Sequence, residues 1–306
     1  MNLMRRSVLA IADNGRVERV FRGSRLARGL VNRFVAGETL DQALGAAARL
    51  HTSGMTTTLD LLGENVATVD ASRAAVASYV AILQRMREAG LEPNISVKLT
   101  MLGLDLGDTL ARDNVGPILE AANAVDGFVR IDMEGSDYTA RTMDIFTSVH
   151  NRFPNNVGIV VQSYLRRAED DVRHAIAQGA RVRLVKGAYA EPETVAYPTR
   201  GEIDESFVAL LELLLDGGHY PAIATHDPAL IRATQGYALR MGIPPDRYEF
   251  QMLYGVRREE QSRLATEGYR MRVYVPFGTE WYPYFTRRIA ERPANALFVL
   301  RQLFDR

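Results

Sequence analysis

The chain has 306 residues, is 47% apolar, and carries 37 Lys plus Arg against 37 Asp plus Glu, a formal net charge of zero. That size allows a large buried core, and the apolar content excludes intrinsic disorder. The even charge balance argues against nucleic-acid binding, which needs a basic surplus on one face, and the absence of cysteine excludes disulfides, zinc–thiolate sites and a cysteine nucleophile.

Arg5 and Arg6 precede only five apolar residues, Val8 to Ala12, whereas a secretory signal core needs about 7 to 15. The start is therefore not read as a signal peptide. No run approaches the roughly 18 apolar residues of a membrane span. A cytoplasmic protein is expected, with peripheral membrane contact left open.

Residues 1–54 read as a helical segment packed on the remainder of the chain. Thr39 and Gln42 have capping-box spacing. Leu40, Ala43, Leu44, Ala47 and Leu50 then share one helical face, and Gly54 ends it. From there short apolar runs recur at 56–60, 95–99, 128–134, 157–162, 181–186, 222–226, 248–252 and 272–276. Helical patterns separate them at 70–89, 114–125, 139–151, 168–178, 204–215, 228–241 and 259–266. Strands alternating with helices imply parallel pairing through right-handed crossovers. The expected fold is a (βα)8 TIM barrel over 55–306, forming a single domain with the helical segment.

Several strands alternate apolar with charged residues. Val129, Ile131 and Met133 share one face; Arg130, Asp132 and Glu134 share the other. A barrel wrapped by helices needs an apolar outer face, so the charged set points inward. The same rule sends Ser96, Lys98, Arg181, Arg183, Arg272 and Tyr274 inward. Barrel interiors are mostly aliphatic, and isolated buried charges are costly. Asp60, Asp132, Glu134 and Glu249 are available to balance Lys98, Arg130, Arg181, Arg183 and Arg272. The alternative is an antiparallel sheet with one wet face, which gives the same alternation.

Active sites of such barrels lie at the carboxyl ends of the strands. The residues there are Asp60, Lys98, Asp132, Gln162, Arg183, Lys186, His226, Gln251 and Tyr274. Beyond the last strand, Arg287, Arg288 and Glu291 share one face of a helix opened near Pro283 and stopped by Pro293. They read either as a solvated ion-pair stripe or as a guanidinium clamp for a carboxylate. Arg183 and Lys186, beside Gly187 and Ala188, suit a phosphate or an electron-rich ring, or ordinary strand-end salt bridges. His226 is by itself a weak signal. No G-x-G-x-x-G, Walker loop or H-E-x-x-H occurs, so a dinucleotide would bind outside a Rossmann fold. The neighbouring Lys and Arg residues oppose a metal ion, and none is assigned.

The segments Ser96-Val97-Lys98-Leu99-Thr100, Arg130-Ile131-Asp132-Met133-Glu134, Val161-Gln162-Ser163-Tyr164, Arg183-Leu184-Val185-Lys186-Gly187-Ala188-Tyr189, Ala224-Thr225-His226, Phe250-Gln251-Met252-Leu253-Tyr254-Gly255 and Arg287-Arg288-Ile289-Ala290-Glu291-Arg292 occur in this order. Together they resemble the monofunctional bacterial proline dehydrogenases, over roughly residues 50–306. The resemblance implies a distorted barrel whose last helix covers the mouth. It implies FAD as cofactor, with contacts from Gln162, Arg183, Lys186, Gly187, Ala188, Thr225 and His226 and a backbone contact from Met133. Asp132 and Arg183 fall at positions treated as catalytic. Lys98, Arg287 and Arg288 would hold the proline carboxylate, and Tyr189, Tyr274 and Glu291 would shape the pocket. Asp132 is expected to orient Lys98 or its neighbours, and the bulk of Tyr274 to disfavour hydroxyproline.

The implied reaction oxidises L-proline to 1-pyrroline-5-carboxylate by hydride transfer to FAD N5. Electrons pass to a quinone, which calls for a place at the inner face of the membrane. The product would go to a separate pyrroline-5-carboxylate dehydrogenase, since the chain is too short for a fused one. One departure is Ala190, where larger bifunctional relatives carry an aromatic residue, so the adenine end of FAD is expected to bind differently. Two rivals remain on the residues alone. One is a Schiff-base lyase or aldolase using Lys186 or Lys98; the other is a non-catalytic binding barrel.

Overall fold

The structure is a computed structural model that describes residue 29 and residues 31–290. Most of the N-terminal helical segment expected over 1–54, and Glu291 with everything after it, lie outside the described residues. Helix α1 (Leu40–Thr52) opens with the predicted capping box. Gln42 N–H donates to Thr39 Oγ1 at 3.4 Å, and Thr39 N–H donates to Gln42 Oε1 at 3.2 Å. Ala43, Leu44, Ala46 and Ala47 are buried, and α1 packs on the first and last strands.

Beyond α1 the chain forms eight strands: β1 (Thr56–Leu61), β2 (Asn94–Val97), β3 (Phe128–Ile131), β4 (Val157–Gln162), β5 (Arg181–Val185), β6 (Ala222–Ala224), β7 (Glu249–Leu253) and β8 (Arg270–Phe277). Each pairs in parallel with the next, and β8 closes on β1 from Thr56↔Arg272 to Leu61↔Phe277. The closed parallel barrel removes the antiparallel alternative. The outer residues Ile95, Val97, Val129, Ile131, Val182, Leu184, Val273 and Val275 are fully buried. Each such side chain contributes roughly 1.5–3 kcal/mol on burial, which is why the apolar half of each alternating strand faces the helices.

Helices α2 (Val69–Glu88), α3 (Asp108–Ala124), α4 (Ser136–His150), α5 (Ala168–Ala177), α6 (Arg200–Gly217), α7 (Pro228–Met241) and α8 (Arg258–Thr266) are the crossovers. The pattern at 114–125 catches only part of α3. Asn114 resembles a cap in sequence, but it lies mid-helix. Its amide donates to Ser72 Oγ and to the Leu102 carbonyl, both at 3.0 Å. Helix α9 (Trp281–Ala290) comes after β8. Trp281, Tyr282, Tyr284 and Phe285 pack with Val31, Phe34, Val35 and Leu62, and Trp281 Nε1–H donates to Glu38 at 3.0 Å. This aromatic cluster seats α9 beside the strand ends. Among the described residues, no helix is long and apolar enough to cross a membrane.

Candidate active site

The inward charges sort into two levels. Lower in the barrel, Arg272 reaches Glu249 at 3.1 Å, Glu92 at 2.8 Å and the Thr57 carbonyl at 2.9 Å. Arg130 and Arg181 depart from the expected carboxylate pairing. Arg130 donates to the carbonyls of Ile159 and Arg181. Arg181 lies over the rings of Phe128 and Tyr220, 4.3 and 4.6 Å from their centroids, where aromatic faces attract a cation. Gly158 makes room, since a Cβ there would sit 2.5 Å from Arg130 Nη1.

At the carboxyl ends, a cavity of about 790 Å³ opens, a size suited to a small-molecule or cofactor site. Lys98, Asp132, Met133, Gln162, Arg183, Lys186, Gly187, Ala188, Tyr189, Thr225, His226, Tyr274, Arg287 and Arg288 all line it. Of the site residues expected from sequence, Glu291 alone lies outside the described residues.

Arg183 occupies the centre. Its Nη1 donates to Asp132 Oδ1 at 2.7 Å and to Ser96 Oγ at 3.0 Å. Its guanidinium lies 5.2 Å from the centre of the Tyr274 ring. Tyr274 in turn donates to Asp132 Oδ2 at 2.8 Å. Asp132 therefore holds Arg183 and Tyr274, whereas Lys98 is held by Asp60 at 3.1 Å. Burial, then the carboxylates of Asp132 and Asp60, pushes the Tyr274 phenol well above its ordinary range, so it stays a donor. Burial similarly keeps Tyr189 protonated, with Glu64 and Glu134 adding to the effect.

One rim carries the backbone apparatus. Gly187 has φ +117°, and a Cβ there would sit 2.4 Å from the Tyr164 ring, so glycine is needed both for conformation and for contact. Gln162 Nε2 donates to the Glu134 carbonyl at 2.8 Å, fixing its amide. Leu253 N–H donates to His226 Nε2 at 2.9 Å, so that nitrogen is the acceptor and the ring proton resides on Nδ1. Arg257 donates to the His226 carbonyl at 2.8 Å. Lys186 is gripped by Asp227 at 3.0 Å and by Asp204. Asp227 caps α7 and also accepts from Arg200 at 2.8 Å. Burial works against the Asp227 carboxylate, but hydrogen bonds from Lys186, Ala229 N–H and Arg200 outweigh it and hold the group down to about 2.

On the opposite rim, Arg287 donates to Glu64 at 2.7 Å. In the sequence, helical spacing pairs Arg287 with Glu291 and gives no hint of Glu64, which sits in an irregular loop without periodicity. Burial opposes the Arg287 guanidinium, yet Glu64 raises its pKa overall. Asp204, Arg200 and Arg257 also carry no sequence signal. Asp227 does, as an N-cap before Pro228.

A pocket with this cation set at the strand ends of a closed parallel barrel invites comparison with known proteins. A family model described as proline dehydrogenase matches residues 43–301. The chain belongs to the proline dehydrogenase family. Proline dehydrogenase 1 of Bacillus subtilis (strain 168) is 43% identical over 284 residues, spanning 93% of each chain. Proline dehydrogenase of Deinococcus radiodurans is 38% identical over 303 residues, spanning 98% of this chain and 97% of its own. Among solved structures, proline utilization A from Bdellovibrio bacteriovorus inactivated by N-propargylglycine is similar with a TM-score of 0.81 and 27% identity. That match covers 87% of this chain and 33% of the other, so this chain spans about a third of that longer protein. Family membership makes the protein an oxidoreductase that oxidises proline, the first step of proline catabolism, and implies a flavin cofactor.

Proposed function

We propose that the flavin is FAD, that it lies across the strand ends, and that L-proline is oxidised against it to 1-pyrroline-5-carboxylate. The observation that carries this reading is the state of Arg183. It is 3% exposed, and its Nε and Nη2 donors are buried without acceptors. Leaving buried donors unmade costs roughly 1–3 kcal/mol each, so the cavity suits a ligand rich in acceptors, as a flavin ring is. The residues proposed to hold FAD are Met133, Gln162, Arg183, Lys186, Gly187, Ala188, Thr225 and His226. The chemistry FAD supplies when bound is two-electron acceptance at N5, from the carbon beside the proline nitrogen, with onward passage to quinone.

The chain's own residues would do the rest. Arg183 places positive charge where negative charge develops on reduction, and Asp132 and Tyr274 fix its orientation. Lys98, Arg287 and Arg288 would grip the substrate carboxylate, with forked guanidinium donors matching its two oxygens. Tyr189 and Tyr274 would close the apolar walls, with Glu291 as a further expected wall residue. The bulk of Tyr274 would exclude a ring hydroxyl. The protein would act in the cytoplasm, meeting quinone at the inner membrane face and releasing product to a separate pyrroline-5-carboxylate dehydrogenase.

The test is the visible absorption spectrum of the purified protein before and after anaerobic addition of L-proline. Flavin bands that bleach are the expected result. Bands that persist would retain a flavoprotein and reject proline; no bands even after FAD is supplied would reject the cofactor. Inactivation by N-propargylglycine, with protection by L-proline, is expected from the likeness to the Bdellovibrio protein.

A further inference from the structure

In the sequence Asp60 reads as a strand-end candidate and a balancing charge, with no specific role. It is the fifth residue of β1, with Ser96 of β2 on one side and Pro276 of β8 on the other. It is 1% exposed. Its Oδ1 accepts from Lys98 Nζ at 3.1 Å, while its Oδ2 is buried without a hydrogen-bond partner. Lys98 lies just past the end of β2, 8% exposed, on the wall of the cavity. Asp60 lines the same cavity, is the more buried of the two, and touches the ammonium through one oxygen.

We propose that Asp60 is a positioning residue for substrate binding: acting through Lys98, it fixes where the ammonium sits and keeps it charged for the proline carboxylate. The inference rests on the pocket being the proline site. A lysine head is a point charge on a flexible stem, so its place is set by its partner rather than by its own chain. An ammonium has three donors, and Asp60 takes one of them. The others remain for an anion in the cavity.

The charge state depends on the surroundings. Burial disfavours the Lys98 ammonium, but Asp60, then Asp132, Tyr79 and Glu64, raise its pKa above the ordinary lysine value. Glu134 and Tyr189 also face it. Burial raises the Asp60 carboxyl, opposed by Lys98 and Tyr274 and reinforced by Asp132. With the Asp60 charge removed, burial acts on Lys98 against Asp132 and weaker neighbours. Lys98 would then lose its proton at a lower pH. Affinity for a carboxylate would be retained at low pH and lost as pH rises through that value.

The experiment uses the flavin-loaded enzyme and tetrahydrofuran-2-carboxylate, a proline analogue whose ring oxygen replaces the amine. Its amine-free ring leaves only protein groups to titrate. Binding is read from the flavin absorbance across neutral to alkaline pH. In Asp60→Asn, Kd is expected to weaken roughly tenfold or more, with further weakening as pH rises, while the unaltered enzyme stays flat over the same range. The proline KM should rise by a larger factor than kcat falls. Asp60→Glu should restore the flat profile. Lys98→Met should lose affinity, and adding Asp60→Asn to it should cost nothing more. An unchanged Kd in Asp60→Asn at every pH, a loss with no pH dependence, or additive losses in the double variant would overturn the proposal. If Asp60→Asn fails to accumulate as a folded flavoprotein, the double variant decides. Recovery with the affinity of Lys98→Met supports the proposal, and failure to recover rejects it. Absence of bleaching by L-proline in the unaltered enzyme would instead reject the reading of the site.

Discussion

The lower barrel and its mouth are built from the same alternating strands, yet their charges are held in different ways. Below, Arg272 is clasped by Glu249 and Glu92, Arg130 by two backbone carbonyls, and Arg181 by two aromatic rings. None of these arginines lines the cavity. Above, four cations are held largely by carboxylates: Lys98 by Asp60, Arg183 by Asp132, Lys186 by Asp204 and Asp227, Arg287 by Glu64. All four cations line the cavity. A charge bound by backbone and ring is locked into the fold. A charge bound by a carboxylate beside open space can turn to a competing anion. Arg272 shows that a carboxylate partner alone does not make a site; the open space beside the pair separates site from scaffold.

The comparison breaks most readily at Arg272. Replacement by Ala would strand Glu249 and is expected to cost about 3–5 kcal/mol of stability, seen as a large fall in Tm with the proline KM unchanged in enzyme that still folds. A large KM change in folded Arg272→Ala would erase the distinction. At the mouth, Arg183→Ala should do the reverse. Loss of charge-assisted bonds worth about 1.5–3 kcal/mol each should reduce flavin content or slow single-turnover flavin reduction by roughly a hundredfold, with a smaller fall in Tm. Unaffected reduction would remove Arg183 from the mechanism. Arg288→Met sharpens the boundary within the mouth: a proline KM roughly tenfold higher with flavin still bound, measured by steady-state kinetics. Smallest is Thr39→Ala in the α1 capping box, expected to cost about 1 kcal/mol and to shift Tm alone.

Much of this could be read from the chain because the determinants are local. The alternation in 128–134 identified both the strand and its inward face, and the helical pattern at 228–241 matched α7. Strand ends were less legible. Phe128–Ile131 and Asn94–Val97 stop before Asp132 and Lys98, so these two side chains leave the strand ends at the cavity wall rather than stacking within the barrel. Partners were least legible. Nothing in sequence spacing joins Glu64 to Arg287, or Asp60 rather than Asp132 to Lys98, since these contacts span different elements. Gly255 shows the same limit: its φ is +74° and a Cβ would overlap the Arg33 carbonyl, a contact between distant parts of the chain.

Side-chain periodicity and turn residues, both properties of neighbouring residues, were enough to determine eight strands, their order of connection and the polar lining of the interior. The ordered motifs were enough to bring the cavity residues under one family. Closure of the barrel decided the rest. It brought β8 beside β1, seated α9 through its aromatic cluster, and so chose which carboxylate meets which cation. That choice depends on distances across the barrel, and no one-dimensional pattern encodes them.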